Sequence, residues 1–257
     1  MKKELNKKII LISGIGKGLG KAFFQSCIDN GAFVIGFTRS TSDLKKIKIK
    51  YLKQSKIFIG DGRNTKFIDQ IFKYLVSKKI KLHGLINNAG ERQRYSFLDI
   101  DYDKITRLFD NNFISKFYIT QKFIKHIRQK KISRSIINIG SIVGEKGFSN
   151  LVGYGSTKAA LVGFTKCLAV ELAEKKYDCR VNIINPGFVK TSYYKNFIKN
   201  KKLFKWTIDN IPMQRWAKPE EISSLAIFLL SDKSSYLNGQ KINVDGGWTA
   251  KWKKKKF

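Results

Sequence analysis

Acidic residues are scarce in this 257-residue chain: 19 Asp and Glu face 51 Lys and Arg, a formal net charge of +32. Cysteine, proline, methionine and histidine are scarcer still, at three, three, two and two. Cys27, Cys167 and Cys179 are odd in number and lack CxxC spacing. They exclude a disulfide framework and a cysteine zinc site, and the reading is a reducing cytoplasm. His83 and His126 stand without ligand spacing around them, so no metal site is expected. Long apolar runs are missing too. Lys or Arg interrupts every hydrophobic stretch before the ~18 residues that a membrane span requires. The start, MKKELNKKIILISG, has no small-residue cleavage site and runs straight into a glycine loop, so it reads as a first strand and not a signal peptide.

At 42% hydrophobic and 13% aromatic residues the chain can bury a sizeable core, which excludes intrinsic disorder. The positive charge invites a nucleic-acid reading, but only nine of the 51 cations are Arg and the Lys are scattered from end to end. Nucleic-acid sites favour Arg, whose planar fork reads phosphates and bases. Abundant Lys, Ile, Asn, Phe and Tyr fit an AT-rich coding bias instead. No specific nucleic-acid partner and no membrane partner is expected. The charge should attract phosphorylated cofactors and acidic proteins.

Short Ile- and Val-rich runs at 9–13, 33–37, 57–59, 84–86, 135–139, 180–184 and 241–244 alternate with helical stretches near 18–30, 65–78, 102–130, 154–176 and 219–230. Such alternation predicts an α/β fold: a doubly wound, seven-stranded parallel sheet with helices on both faces. With no internal repeat, linker or composition break, residues 1–257 read as a single domain. The segment at about 190–216 breaks the alternation. It is polar, aromatic and irregular, carries Tyr193, Tyr194 and Trp206, and is read as covering the substrate. The tail 251–257 reads as a frayed end.

Two motifs have a physical reading of their own. Ser13-Gly14-Ile15-Gly16-Lys17-Gly18-Leu19-Gly20 follows the first strand and opens a helix. Its glycines allow a tight turn and let backbone N–H groups approach a pyrophosphate at the helix start. Tyr154 and Lys158 are four residues apart, so on a helix they share a face. An ammonium beside a phenol lowers the phenol pKa from ~10 and prepares Tyr154 for proton transfer. Ser141 lies just past a buried strand, at the edge where α/β sites form.

The loop Ser13-Gly14-x3-Gly18-Leu19-Gly20 resembles the TGxxxGxG loop of the short-chain dehydrogenase/reductase family, with Ser in place of Thr. The resemblance continues through Asn87-Asn88-Ala89-Gly90, Ser141, Tyr154-x3-Lys158, Asn185-Pro186-Gly187 and Asp245-Gly246-Gly247, in family order and across nearly the whole chain. It implies a catalytic set of Asn112, Ser141, Tyr154 and Lys158. Tyr154 would be the proton donor, Ser141 the partner of the substrate carbonyl, and Lys158 a ligand of the nicotinamide ribose. Asn112 is preferred to Asn111 because Phe117 follows it at the family's spacing; Asn111 reads as a polar helix residue without a role. A cofactor site of Ser13, Gly14, Gly16, Lys17, Gly18, Leu19, Gly20, Arg39, Asp61, Asn88, Ala89, Gly90, Tyr154, Lys158, Pro186, Gly187, Val189 and Thr191 is implied as well. Arg39 stands at the end of strand two, where NAD-selective relatives carry an acid, so NADP(H) is expected over NAD(H). Asp61 matches the acid at the adenine edge, although Gly62 follows where a hydrophobic residue is usual.

Within the family the chain is most similar to bacterial 3-oxoacyl-(acyl-carrier-protein) reductases. That implies NADPH-dependent reduction of a small-molecule or carrier-bound ketone to a secondary alcohol. Arg92 and Arg94 open an alternative: a dehydrogenase of a sugar, sugar acid or polyol. The resemblance further implies a homotetramer, or a dimer, built on the two long helices.

Overall fold

A computed structural model describes residues 3–44, 47–127 and 132–251. The helical elements, in chain order, are α1 (Gly18–Asp29), α2 (Thr41–Leu44), α3 (Ile49–Leu52), α4 (Thr65–Ser77), α5 (Tyr102–Phe109), α6 (Ser115–His126), α7 (Val152–Glu174), α8 (Ser192–Phe197), α9 (Lys201–Asn210) and α10 (Pro219–Leu230). The strands are β1 (Ile9–Ser13), β2 (Phe33–Thr38), β3 (Ser55–Ile59), β4 (Gly84–Asn87), β5 (Arg134–Ile139), β6 (Cys179–Pro186) and β7 (Lys241–Val244). Among the described residues they form one parallel sheet of seven strands in the order β3-β2-β1-β4-β5-β6-β7. The expected α/β class and strand count are what the structure has.

The pleat explains the two apolar layers. On β1, Ile10 and Ile12 join the core under α1 and α10, while Leu11 between them joins the core under α4, α6 and α7. On β5, Ile137 and Ile139 face the first layer and Ile136 the second. Phe23, Phe24 and Phe123 are wholly buried in these layers. Each such side chain contributes about 1.5–3 kcal/mol through the area it removes from water.

Polar groups place the helices. Buried Asn87 donates to the Thr120 hydroxyl of α6 (2.8 Å) and to Asn138 Oδ1 of β5 (2.9 Å). Asn138 in turn donates to Thr165 of α7 (2.9 Å). A buried amide without partners costs free energy, so this chain of amides fixes the registers of α6 and α7 against the ends of β4 and β5.

Two expectations change. The helical stretch at 102–130 is α5 and α6 joined by a wider turn over Asp110–Ile114, with residues 128–131 outside the described set. The turn widens where Asn111 and Asn112 swing inward to bond the chain around Glu91. The segment 190–216 is not irregular. It folds into α8 and α9 around Trp216, whose indole N–H donates to Thr207 (2.8 Å) and whose ring meets Phe188, Tyr194 and Phe197 at 5.0–5.1 Å. Aromatic packing supplied the order that polarity concealed. The excursion is closed at its root by a parallel bridge between Val189 and Ala217. Of the predicted tail, residues 252–257 lie outside the described residues.

Candidate active site

Strand order reverses direction between β1 and β4, so the loops leaving their C-terminal ends diverge and open a crevice. Ser13, the last residue of β1, ties the two loops together. Its hydroxyl accepts from the N–H groups of Asn88 (2.9 Å) and Ala89 (3.0 Å). Asn88 returns hydrogen bonds to the Gly14 and Ser13 carbonyls at 2.9 and 3.2 Å. Gly14 has φ +73°, and a Cβ there would stand 2.9 Å from the Ala89 Cα, so only glycine permits this approach.

Helix α1 then begins at Gly18 with no side-chain cap and no acid in its first turn. Its first N–H groups therefore lack helical partners and form the positive, anion-attracting end of the helix dipole. A cleft of about 470 Å³ lies before them, lined by Gly14, Gly16, Lys17, Leu19, Gly20, Arg39, Asp61, Asn88, Ala89 and Gly90 among others. At its far end stand two Arg and two Asp. Asp61 accepts from the Arg63 side chain (2.7 Å) and backbone (2.9 Å), and these bonds hold its carboxyl below the usual range, with the Arg39 charge assisting. Asp43 accepts from the Thr38 hydroxyl (2.8 Å) and packs so close to Gly16 that a Cβ there would fall 2.1 Å from its oxygen. Arg39 makes no hydrogen bond to any described residue. The sequence reading missed Asp43 and Arg63. Asp43 follows β2 by five residues and was invisible without α2, whereas Arg63 could have been suspected from an Asp-x-Arg pair in a turn.

A second cleft of about 310 Å³ continues from the first through Leu19, Asn88 and Gly90. Ser141, Tyr154, Lys158, Pro186, Gly187, Val189 and Thr191 line it. The structure thus brings the sequence-nominated residues to one crevice except Ser13 and Asn112, which are fully buried and line neither cleft. Ser141 accepts from the Val143 N–H (3.2 Å), which fixes its hydroxyl and leaves its proton to donate. Tyr154 lines the cleft together with Ser141, and its ring centroid is 5.6 Å from the Lys158 Nζ. Lys158 donates to the Ile139 carbonyl (2.8 Å), and burial lowers its ammonium to about 8.

The Tyr154 phenol differs from expectation. Burial raises its pKa, against the lowering influence of the Arg92 charge and the Ser141 side chain, so it stays protonated at neutral pH. The Lys158 ammonium stands 5.6 Å from the ring centroid and donates to a backbone carbonyl, and burial of the phenol outweighs its influence.

Asn112 is fully buried at the widened turn. Its Oδ1 accepts from the Glu91 N–H and its Nδ2 donates to the Glu91 carbonyl, each at 2.8 Å, with Thr157 a further acceptor at 3.2 Å. Thr157 in turn donates to the Tyr154 carbonyl within α7 (2.7 Å), so the Asn112–Thr157 bond ties the widened turn to α7. Asn111 is not idle: it donates to the Glu91 carboxylate at 2.9 Å. The two histidines are structural. His83 Nδ1 accepts from Ile9 N (3.1 Å), and His126 bonds the Ile80 carbonyl (2.8 Å).

A family model described as "Enoyl-(Acyl carrier protein) reductase" matches residues 14–249. Among curated proteins, a 3-oxoacyl-(acyl-carrier-protein) reductase of Buchnera aphidicola subsp. Schizaphis graminum is 36% identical over 95% of this chain and 98% of its own length. The chain belongs to the short-chain dehydrogenase/reductase family. It is an NAD(P)-dependent oxidoreductase by that membership. A candidate gluconate dehydrogenase from Agrobacterium tumefaciens superposes with a TM-score of 0.92 at 27% identity, over 98% of this chain and 100% of that one. A candidate 2-deoxy-D-gluconate 3-dehydrogenase from the same organism, solved with NADP bound, gives 0.87 at 27% identity over 97% and 99%. Among the described residues of the enzyme no helix is long and apolar enough to cross a membrane.

Proposed function

We propose that the enzyme is an NADPH-dependent reductase of 3-oxoacyl thioesters. The observation that carries the substrate reading is a third cavity of about 740 Å³, which shares Arg92 and Phe188 with the catalytic cleft. Its walls are aromatic: Trp248 meets Phe148, Phe188 and Trp206 at 5.8, 5.0 and 5.5 Å. Arg94, Lys146, Lys202 and Lys251 stand among its lining residues, with no carboxylate among those described. An apolar wall beside a cationic rim suits an acyl chain joined to an anionic carrier. The near-full-length likeness to a 3-oxoacyl-(acyl-carrier-protein) reductase supports the same reading.

In this reading the 13–20 loop, Arg39, Asp61, the 88–90 loop and the 186–191 loop hold the cofactor, with its phosphates at the uncapped start of α1. The bound nicotinamide supplies a hydride. Ser141 and Tyr154 donate hydrogen bonds to the same carbonyl oxygen, and Tyr154 gives up its proton as negative charge develops there. Lys158 steadies the resulting phenolate and holds ribose hydroxyls, and Asn112 fixes the backbone at Glu91.

The deciding experiment compares NADPH oxidation on acetoacetyl thioester with that on keto sugars and keto-sugar acids. Preferred turnover of the sugar acids would move the assignment to the alternative reading. That reading is favoured by Arg92, stacked 4.5 Å over Tyr193 where it could meet a carboxylate, and by the likeness to the gluconate-type dehydrogenases.

Arg39, which lines the cleft and has no hydrogen-bond partner among the described residues, is assigned the 2′-phosphate. A charge-assisted bond of this kind is worth about 1.5–3 kcal/mol before solvent screening. Arg39→Ala should therefore lower kcat/KM for NADPH about tenfold and leave that for NADH unchanged; equal use of both cofactors by wild type would count against the assignment.

Assembly belongs to this proposal too. Ile114, Phe117, Val152 and Val170 on the α6–α7 side are about half exposed, and the Phe113, Phe117 and Phe164 rings cluster there at 5.4–6.3 Å. A second copy would cover them, as in the tetramers of the family. Sedimentation at micromolar concentration should give a tetramer or a dimer, and a 29.5 kDa species alone would refute it. A cytoplasmic setting goes with this reading.

A further inference from the structure

Lys116 is wholly buried and takes no part in the chemistry above. It follows Asn112 by four residues, so both side chains leave the same side of the chain. They reach the same loop. Lys116 Nζ donates to the Ala89 carbonyl and, at 3.3 Å, to the Asn111 carbonyl. Asn112 grips both the N–H and the carbonyl of Glu91. Between them a Cβ on Gly90 would stand 2.8 Å from Asn112 Oδ1 and 3.6 Å from Lys116 Nζ. Residues 89–91 are thus seized from beneath, while Ala89, Gly90 and Glu91 line the two clefts above.

We propose that Lys116 is a positioning residue for the cofactor, a second clamp that holds the 89–91 loop through the Ala89 carbonyl. The inference rests on the cofactor part of the proposed function and not on its substrate. A lysine here is a poor device for stability. Its described acceptors are two backbone carbonyls and no carboxylate, and burial, together with the charge of Lys158, pushes its ammonium well below the ordinary lysine range. Replacing a buried, poorly compensated amine by an apolar side chain of like length is often neutral or stabilising. The fold and the function should therefore respond to that replacement in opposite directions.

Lys116→Met keeps the stem and removes the donor. Titration of NADPH by its own fluorescence, without substrate, should give a Kd about tenfold weaker than wild type. Thermal unfolding of the cofactor-free variant should occur at the wild-type temperature or above it. In turnover assays KM for NADPH should rise by a similar factor, with kcat within about twofold. Lys116→Gln, which retains an N–H donor on a shorter stem, should recover part of the affinity. An unchanged Kd in the folded Met variant overturns the proposal. So does a Met variant that fails to fold, because the amine would then serve the interior alone. Absence of NADPH binding by the wild type is a separate result: it defeats the cofactor reading on which this inference stands.

Discussion

Tyr154→Phe should reduce turnover of any ketone that the wild type accepts by about 10²–10⁴-fold, the usual contribution of a positioned general acid. The ring remains, so the packing of α7 and NADPH affinity should be unaffected. The expectation rests on the state of the phenol. Burial raises its pKa, so its proton is present before substrate arrives. Ser141→Ala should lower turnover through the lost donor to the carbonyl oxygen, with cofactor Kd near wild type. Steady-state kinetics and a fluorescence titration of NADPH check both variants. Near-normal turnover by Tyr154→Phe would remove the tyrosine from the chemistry while leaving the fold assignment intact.

Lys158→Ala should do two things where Tyr154→Phe does one. Turnover should fall by a comparable factor, and NADPH should bind about 10- to 100-fold more weakly, the size of lost charge-assisted bonds to ribose hydroxyls. A pH dependence follows from the same group. Burial lowers the Lys158 ammonium to about 8, so the charge is present below that pH and lost above it. Only the charged form stabilises the phenolate left once Tyr154 has given its proton. Reductive kcat should therefore decline as pH rises through about 8 in wild type, and Lys158→Ala should lack that limb. A reductive rate that instead climbs between pH 7.5 and 9 would contradict this role.

The class of fold and the positions of the key side chains were legible in the chain itself. Strand and helix periods, a glycine loop after β1 and an i, i+4 Tyr–Lys pair are local patterns, set by the pleat, the helical turn and the room that only glycine leaves. What remained hidden was whatever depends on distant segments meeting. No local signal made Asn111 a partner of Glu91, brought Asp43 against Gly16, or put a buried Lys116 under Ala89. The polarity of the 190–216 segment likewise masked two helices, because their order comes from the Trp216 cluster and the Val189–Ala217 bridge. Even the direction of the Tyr154 shift was a tertiary property. Spacing placed the ammonium near the ring, but burial by the assembled sheet edge outweighs that proximity, and the phenol keeps its proton.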